Sequence, residues 1–149
     1  MDKLRELPTI YYAHAMSWYG TPGEADDVAA LRAEGWSVLN PNDAEGKYSR
    51  MVSDMKLRGD FDVMKIFREV VRSCDALAYR PLTHGPGIIT AGVATEIMEA
   101  HLWGKPTYRL SGGCNAQVCS PVYLTEGLPD WSAVVGIDRT RKLIRQGSL

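Results

Sequence analysis

Residues 89–106 read ITAGVATEIMEAHLWGKP, and they set one carboxylate, Glu96, behind a run of small side chains from Thr90 to Thr95. Helical spacing puts Glu96 on a face with Gly92 and Val93, four and three residues before it, and with Glu99 and Ala100 beyond. A helix starting near Thr90 would be slim in its first turns, and Gly92 would let a ligand approach the backbone. The free N–H groups and the positive dipole end of such a helix favour an anion such as a phosphate. Thr90 fits an N-cap, or its hydroxyl bonds that phosphate. Two plainer alternatives stay open. A single Glu in a helix commonly faces solvent, and a small-residue helix start commonly packs tightly on a sheet.

Those residues need a frame, and the chain alternates strand-like and helix-like segments. PTIYYAH, 8–14, is aromatic and β-branched, a first strand. A loop punctuated by Gly-Thr-Pro-Gly runs from Ser17 to Gly23. EADDVAALRAEG then reads as an amphipathic helix with Ala25, Val28, Ala29 and Leu31 on its apolar side, stopping at Gly35. WSVLNPND holds a short strand ending at Asn40-Pro41, and residues 44–60 carry no clear pattern. DFDVMKIFREVVRSC is a stronger helix, with Val63, Ile66, Phe67, Val70 and Val71 in register. DALAYRPL is a strand, THGPGIIT a loop, PTYRL a further strand, and residues 111–136 have room for one more. A last helix is expected near 137–146. This alternation predicts one α/β domain over residues 1–149, a flavodoxin- or Rossmann-like three-layer fold around a parallel sheet of four to five strands. Ligands in such folds bind beyond the carboxyl ends of the strands, at the switch in strand order.

Composition narrows the function class. With 17 Lys and Arg against 18 Asp and Glu, the chain has no net field to draw nucleic acid or an anionic membrane. The basic tail Arg139, Arg141, Lys142 and Arg145 reads as a solvated face. The N-terminus lacks an apolar signal region and no run is long enough to span a bilayer, so a cytoplasmic setting is expected. Cys74, Cys114 and Cys119 are an odd number without a C-x-x-C pair, which argues against a disulfide framework and a zinc site.

The strand IYYAHAM, the strand CDALAY and the run TAGVATEIMEAHLWGKPTY together resemble the nucleoside 2-deoxyribosyltransferase-like superfamily. That superfamily includes nucleoside deoxyribosyltransferases and nucleoside 5′-monophosphate N-glycosidases. The resemblance covers about residues 8–110, and its most specific part is G-V-x-x-E-x-x-x-A-x-x-x-G-K from Gly92 to Lys105. It implies that Glu96 attacks the anomeric carbon of a sugar to give a covalent glycosyl-enzyme. It implies further that Asp75, at the strand head, handles the proton of the leaving base, and that Tyr11 orients the nucleophile. A carboxylate is a competent nucleophile toward an oxocarbenium-like centre. Its ionisation would need the helix N-terminus and a tyrosine hydroxyl to offset desolvation. His84 is a second candidate for the proton.

The chain departs from the family in places. The transferases carry an aspartate six residues before the nucleophile, where this chain has Thr90; a hydroxyl there resembles the nucleotide hydrolases and favours a 5′-phosphate. Ala13-His14 replaces a Gly-Ser or Gly-Pro, so His14 is a phosphate or base contact, or else a hydrogen-bonded structural histidine. Ser17, Tyr19 and Thr21 are candidate substrate contacts. Asn40 and Asn42 either read a base edge or cap a turn. The expected activity is hydrolysis of the N-glycosidic bond of a (deoxy)nucleoside 5′-monophosphate, without cofactor or metal. Base exchange by a deoxyribosyltransferase and a non-catalytic nucleotide-binding module are the alternatives. The resemblance also implies a homodimer or higher homo-oligomer.

Overall fold

In the computed structural model, residues 7–42, 46–59, 63–82, 87–114 and 119–135 are described. Strand β1 (Thr9–Ala13) has four consecutive fully buried residues, Ile10 to Ala13. Such a run marks a central strand covered on both faces. β1 pairs in parallel with β2 (Ser37–Leu39) on one side and β3 (Ala76–Tyr79) on the other. β3 pairs in parallel with β5 (Thr107–Cys114), which pairs antiparallel with β6 (Cys119–Glu126). The five strands run β2-β1-β3-β5-β6, and β4 (Ile89–Thr90) pairs with β7 (Val134–Val135) apart from them. The chain is therefore an α/β protein of flavodoxin/Rossmann-like three-layer form, its sheet parallel except for the last strand. Strand order reverses beside β1, so the carboxyl ends of β1 and β3 flank the ligand-binding position of such folds.

Side chains alternate between two cores. Tyr11, Leu77 and Tyr79 point to a face covered by α2 (Lys47–Leu57), α3 (Val63–Ser73) and α4 (Ala91–Leu102), where Ile66, Val70, Val71 and Ile97 are buried. Ile10, Tyr12, Ala76 and Ala78 point to the other face, against Leu31 of α1 (Pro22–Ala33). No described helix is long and apolar enough to cross a membrane.

Several elements differ from the sequence expectation. Residues 47–57, without a clear pattern, form α2. α1 begins at Pro22, with Thr21 capping Glu24 N–H at 3.2 Å. Its buried residues are Glu24, Asp27 and Leu31, while Ala25 and Ala29 are exposed. The loop THGPGIIT ends in β4. Beyond PTYRL, β5 runs on for four residues into a bulged hairpin with β6. Gly112 makes the bulge at φ 77, where a Cβ would lie 2.2 Å from the Pro121 carbonyl oxygen. That hairpin contradicts the expectation that the cysteines form no disulfide. Cys119 is disulfide-bonded, and the strand register sets Cys114 opposite it, while Cys74 is buried and forms no disulfide. The helix expected at 137–146, and the basic residues within it, lie outside the described residues.

Candidate functional site

A cavity of about 240 Å³ opens at the carboxyl end of β1, on the α3–α4 face of the sheet. β1 contributes Tyr11, and the turn after it contributes His14, Ala15, Met16 and Tyr19. Pro41 after β2, Phe67 of α3, and Thr90, Gly92, Val93, Thr95 and Glu96 of the α4 start complete the wall. The sequence expectation and the switch-point rule thus meet at one place.

Thr90 ends β4 and caps α4: its extended backbone turns the chain, and its Oγ1 accepts from Val93 N–H at 3.3 Å. Gly92 follows in the first helical turn, exposed, and a Cβ built on it meets nothing within 4 Å. Tight packing on a sheet therefore does not explain this glycine, and its helical backbone does not require it. What it leaves clear is the cavity wall.

Glu96 lies one and a half turns further in. The residue is half-buried, but its Oε2 has no solvent contact, and the same holds for the hydroxyl of fully buried Tyr11 beside it. Burial pushes the Glu96 carboxyl up from 4.5 to about 8, and the neighbouring Tyr11 hydroxyl only partly counters it. Burial first, and then the Glu96 charge, hold Tyr11 well above the usual 10.0. Tyr19 is raised to about 12 by burial and by the charges of Glu96 and Glu24. In the free protein Glu96 is thus largely protonated at neutral pH. Burial outweighs the hydrogen bond from Tyr11 that favours the ionised form.

His14 borders the cavity with both ring nitrogens engaged. Nδ1 faces the Tyr12 carbonyl oxygen at 3.0 Å, and Nε2 faces Glu24 Oε2 at 2.7 Å. A carbonyl can only accept, so Nδ1 carries a proton and a second proton sits between Nε2 and Glu24. Glu24 also accepts from Gly20 N–H at 3.2 Å and from the Asn42 amide at 2.9 Å. Burial lowers the His14 pKa from 6.5, against the pull of Glu24. The ring stacks on Tyr12 at 3.9 Å and meets Tyr19 at 4.8 Å. Of the two roles open to His14, the structural one fits this geometry.

A second buried network fastens the same turn from behind. Asp27, fully buried, pairs with Arg80 through both oxygens and accepts from the Tyr12 hydroxyl at 2.5 Å and from Trp18 Nε1 at 3.2 Å. Arg80 also donates to the Gly112 carbonyl at 3.1 Å, reaching the hairpin. Gly23 makes room for Trp18, since a Cβ there would stand 2.2 Å from its ring. The turn Met16–Trp18 and the residue after it are thereby held between two carboxylates of α1. Met16 and Tyr19 line the cavity from this turn.

Other expected site residues lie elsewhere. Asp75 stands at the amino end of β3, exposed, where its Oδ2 accepts from Thr9 N–H at 2.8 Å. Four residues of strand, roughly 13 Å, separate it from the carboxyl ends. It cannot protonate a base held beside Glu96, and the role expected of it is corrected on that ground. Ser17 is exposed and outside the cavity wall. Asn40 caps a turn, its Oδ1 accepting from Asn42 N–H at 2.9 Å, and is also outside the wall. Thr21 is the α1 cap, donating to the Trp18 carbonyl at 2.7 Å. His84 lies outside the described residues. Phe67, expected only as core, is half-buried in the wall, its ring stacked on Tyr48 at 6.3 Å. The roles of Glu24 and Asp27 were signalled only by their spacing with Leu31 at i, i+3 and i+7.

No protein-family model matches the sequence, and no curated protein matches it significantly.

Proposed function

We propose that this chain is an N-glycosidase that hydrolyses nucleoside 5′-monophosphates through a covalent glycosyl–Glu96 intermediate. One observation carries the reading: a buried carboxyl beside a buried tyrosine hydroxyl, in a cavity that also includes the first turn of a helix, at the switch point of the sheet. The sequence resemblance supplies the reaction class. The phosphate lies against the amino end of α4, where Thr90 and Gly92 leave clearance and the dipole favours an anion. The sugar lies over Glu96.

The reaction proceeds in two displacements. A Glu96 oxygen attacks C1′ as the C1′–N bond breaks; the bond pair leaves on the base nitrogen, which takes a proton from solvent at the open mouth. Water then attacks C1′ and gives up a proton to solvent, the ester C–O bond breaks with its electron pair returning to the Glu96 oxygen, and the carboxylate is regenerated with sugar 5-phosphate as product. The attacking form is the carboxylate, so kcat/KM rises with pH as free Glu96 ionises. No second carboxyl group lines the cavity among the described residues, which is why solvent supplies the first proton.

Incubation with a panel of ribo- and deoxyribonucleoside monophosphates should release free base. Glu96→Gln should abolish release while leaving binding intact, and full activity in that variant would overturn the mechanism. Base exchange faster than hydrolysis would identify a transferase instead, and tight binding without turnover a non-catalytic module. We assign the activity to the cytoplasm, where such substrates occur, and to a homodimer, which sedimentation velocity would test.

A further inference from the structure

The β5–β6 hairpin borders a second cavity, of about 380 Å³, which shares no wall residue with the Glu96 cavity. Side chains of β6 alternate: Val122 and Leu124 join the α1-side core, while Tyr123 and Thr125 are exposed on the opposite face. The strand register sets Ser111 across from Tyr123 and Arg109 across from Thr125, so four hydrogen-bond donors share that face. An outward strand face is commonly polar, and polarity alone marks no site. Here Arg80, which follows β3, and the bulge at Gly112 turn the face into a concavity.

Two guanidinium groups line this concavity, and among the described residues no carboxylate does. The Arg80 side chain is only 5% exposed. Asp27 holds it from the α1 side, and the Gly112 carbonyl ties it to the hairpin. A guanidinium carries more N–H groups than these three bonds use, so donors fixed in direction remain. Arg109 is positioned from another side. Gly87, at φ 77, packs against its guanidinium, and a Cβ there would stand 2.8 Å from Nη1. Planar cations already held in place lose little freedom on meeting an oxyanion. We propose that this cavity binds the phosphate group of a small molecule, with Arg80 and Arg109 as its cationic contacts and the hydroxyls of Ser111, Tyr123 and Thr125 as neutral donors. A phosphate presents acceptor oxygens in several directions, which suits donors arriving from β3, β5 and β6. A carboxylate has only two oxygens, in one plane with its carbon.

Removing Arg80 would strand the buried Asp27 carboxylate, so the test acts on Arg109 and Thr125. Sodium phosphate is titrated into the labelled full chain at constant ionic strength, followed by amide nitrogen–proton correlation spectra. Amides of residues 109–113 and 123–125 should shift along one saturable curve. Amides at the start of α4 report any phosphate in the Glu96 cavity separately, in the same spectra. Arg109→Gln should weaken binding at the hairpin about tenfold, the usual effect of losing a charge-assisted bond, and leave the α4 shifts unchanged. Thr125→Val, an exposed change of similar shape that should fold, should weaken it roughly threefold. Acetate should bind at least tenfold more weakly than phosphate, roughly the effect of one lost charge-assisted bond. Phenyl phosphate distinguishes the source: affinity equal to that of inorganic phosphate assigns the site to the free ion, and tighter binding assigns it to a phosphate monoester whose ring lies beside Tyr123. Either outcome upholds a phosphate site. Hairpin amides that do not shift saturably, shifts unaltered in both variants, or acetate binding as tightly as phosphate would overturn the proposal.

Discussion

Replacing Glu96 by Gln should change how stability depends on pH, in a direction fixed by the burial of the carboxyl. An ordinary glutamate titrates at 4.5 and Glu96 at about 8. A folded-state pKa raised in this way means that its contribution is fully present below about 4.5 and is lost as pH rises toward 8. At about 1.4 kcal/mol per pH unit, the loss approaches 5 kcal/mol above pH 8 and about 3 kcal/mol at pH 7. Glu96 is only half-buried as a residue, so water entering the cavity should roughly halve these figures. Gln cannot ionise, so its profile lacks this slope. Urea denaturation of both proteins at pH 5, 6, 7, 8 and 9 isolates the effect, because every other titrating group cancels in the difference. Relative to the parent, the Gln protein should gain about 2 kcal/mol between pH 5 and 9, or a Tm shift of about 4–8 °C for a chain of this size. A difference constant across that range would show that Glu96 ionises as a solvated residue does, and the account of the cavity would fall with it.

Three further outcomes are expected. Gly92→Ala should stabilise the fold by roughly 0.5 kcal/mol, since Ala is the better helix former and its Cβ meets nothing; nucleotide binding, followed by calorimetry, should weaken at least tenfold. Asp27→Ala should cost about 3–5 kcal/mol in chemical denaturation, because it strands the buried Arg80 charge. The double change Asp27→Leu with Arg80→Met should recover most of that loss. In steady-state assays, kcat/KM should climb with pH to a plateau above about 8, where the free Glu96 carboxyl is ionised; a maximum near pH 5 would contradict that assignment.

Much of the frame was legible because its signals are local. An aromatic and β-branched run located β1, 3.6-residue periodicity located α3, and Thr90 followed by slim residues marked the start of α4. The orientation of α1 was not legible, since charged residues at Glu24 and Asp27 read as a solvent face. Their burial depends on His14, Trp18 and Arg80, the last 53 positions from Asp27, and no local pattern announces such partners. Asp75 shows a different failure. A strand-head residue sits at the amino end of its strand, so the carboxyl-end rule for parallel sheets already spoke against it, yet the family pattern outweighed that rule. The β5–β6 hairpin was obscured by Gly112, Gly113 and Pro121, which look like loop punctuation. Glycines at a bulge and a proline on an edge strand are nevertheless compatible with a ladder.

The turn after β1 divides its labour between neighbouring residues. Trp18 and Gly20 are tied to Asp27 and Glu24, while Met16 and Tyr19 between and beside them border the cavity. Anchorage and contact surface are therefore separately mutable. A library varied at positions 16 and 19 alone should yield folded proteins with altered ligand preference, since neither side chain carries one of those ties. Variation at 18 or 20 would instead loosen the whole turn. The protein is in this sense built for retargeting: its receptor surface can be rewritten two letters at a time without redrafting the scaffold.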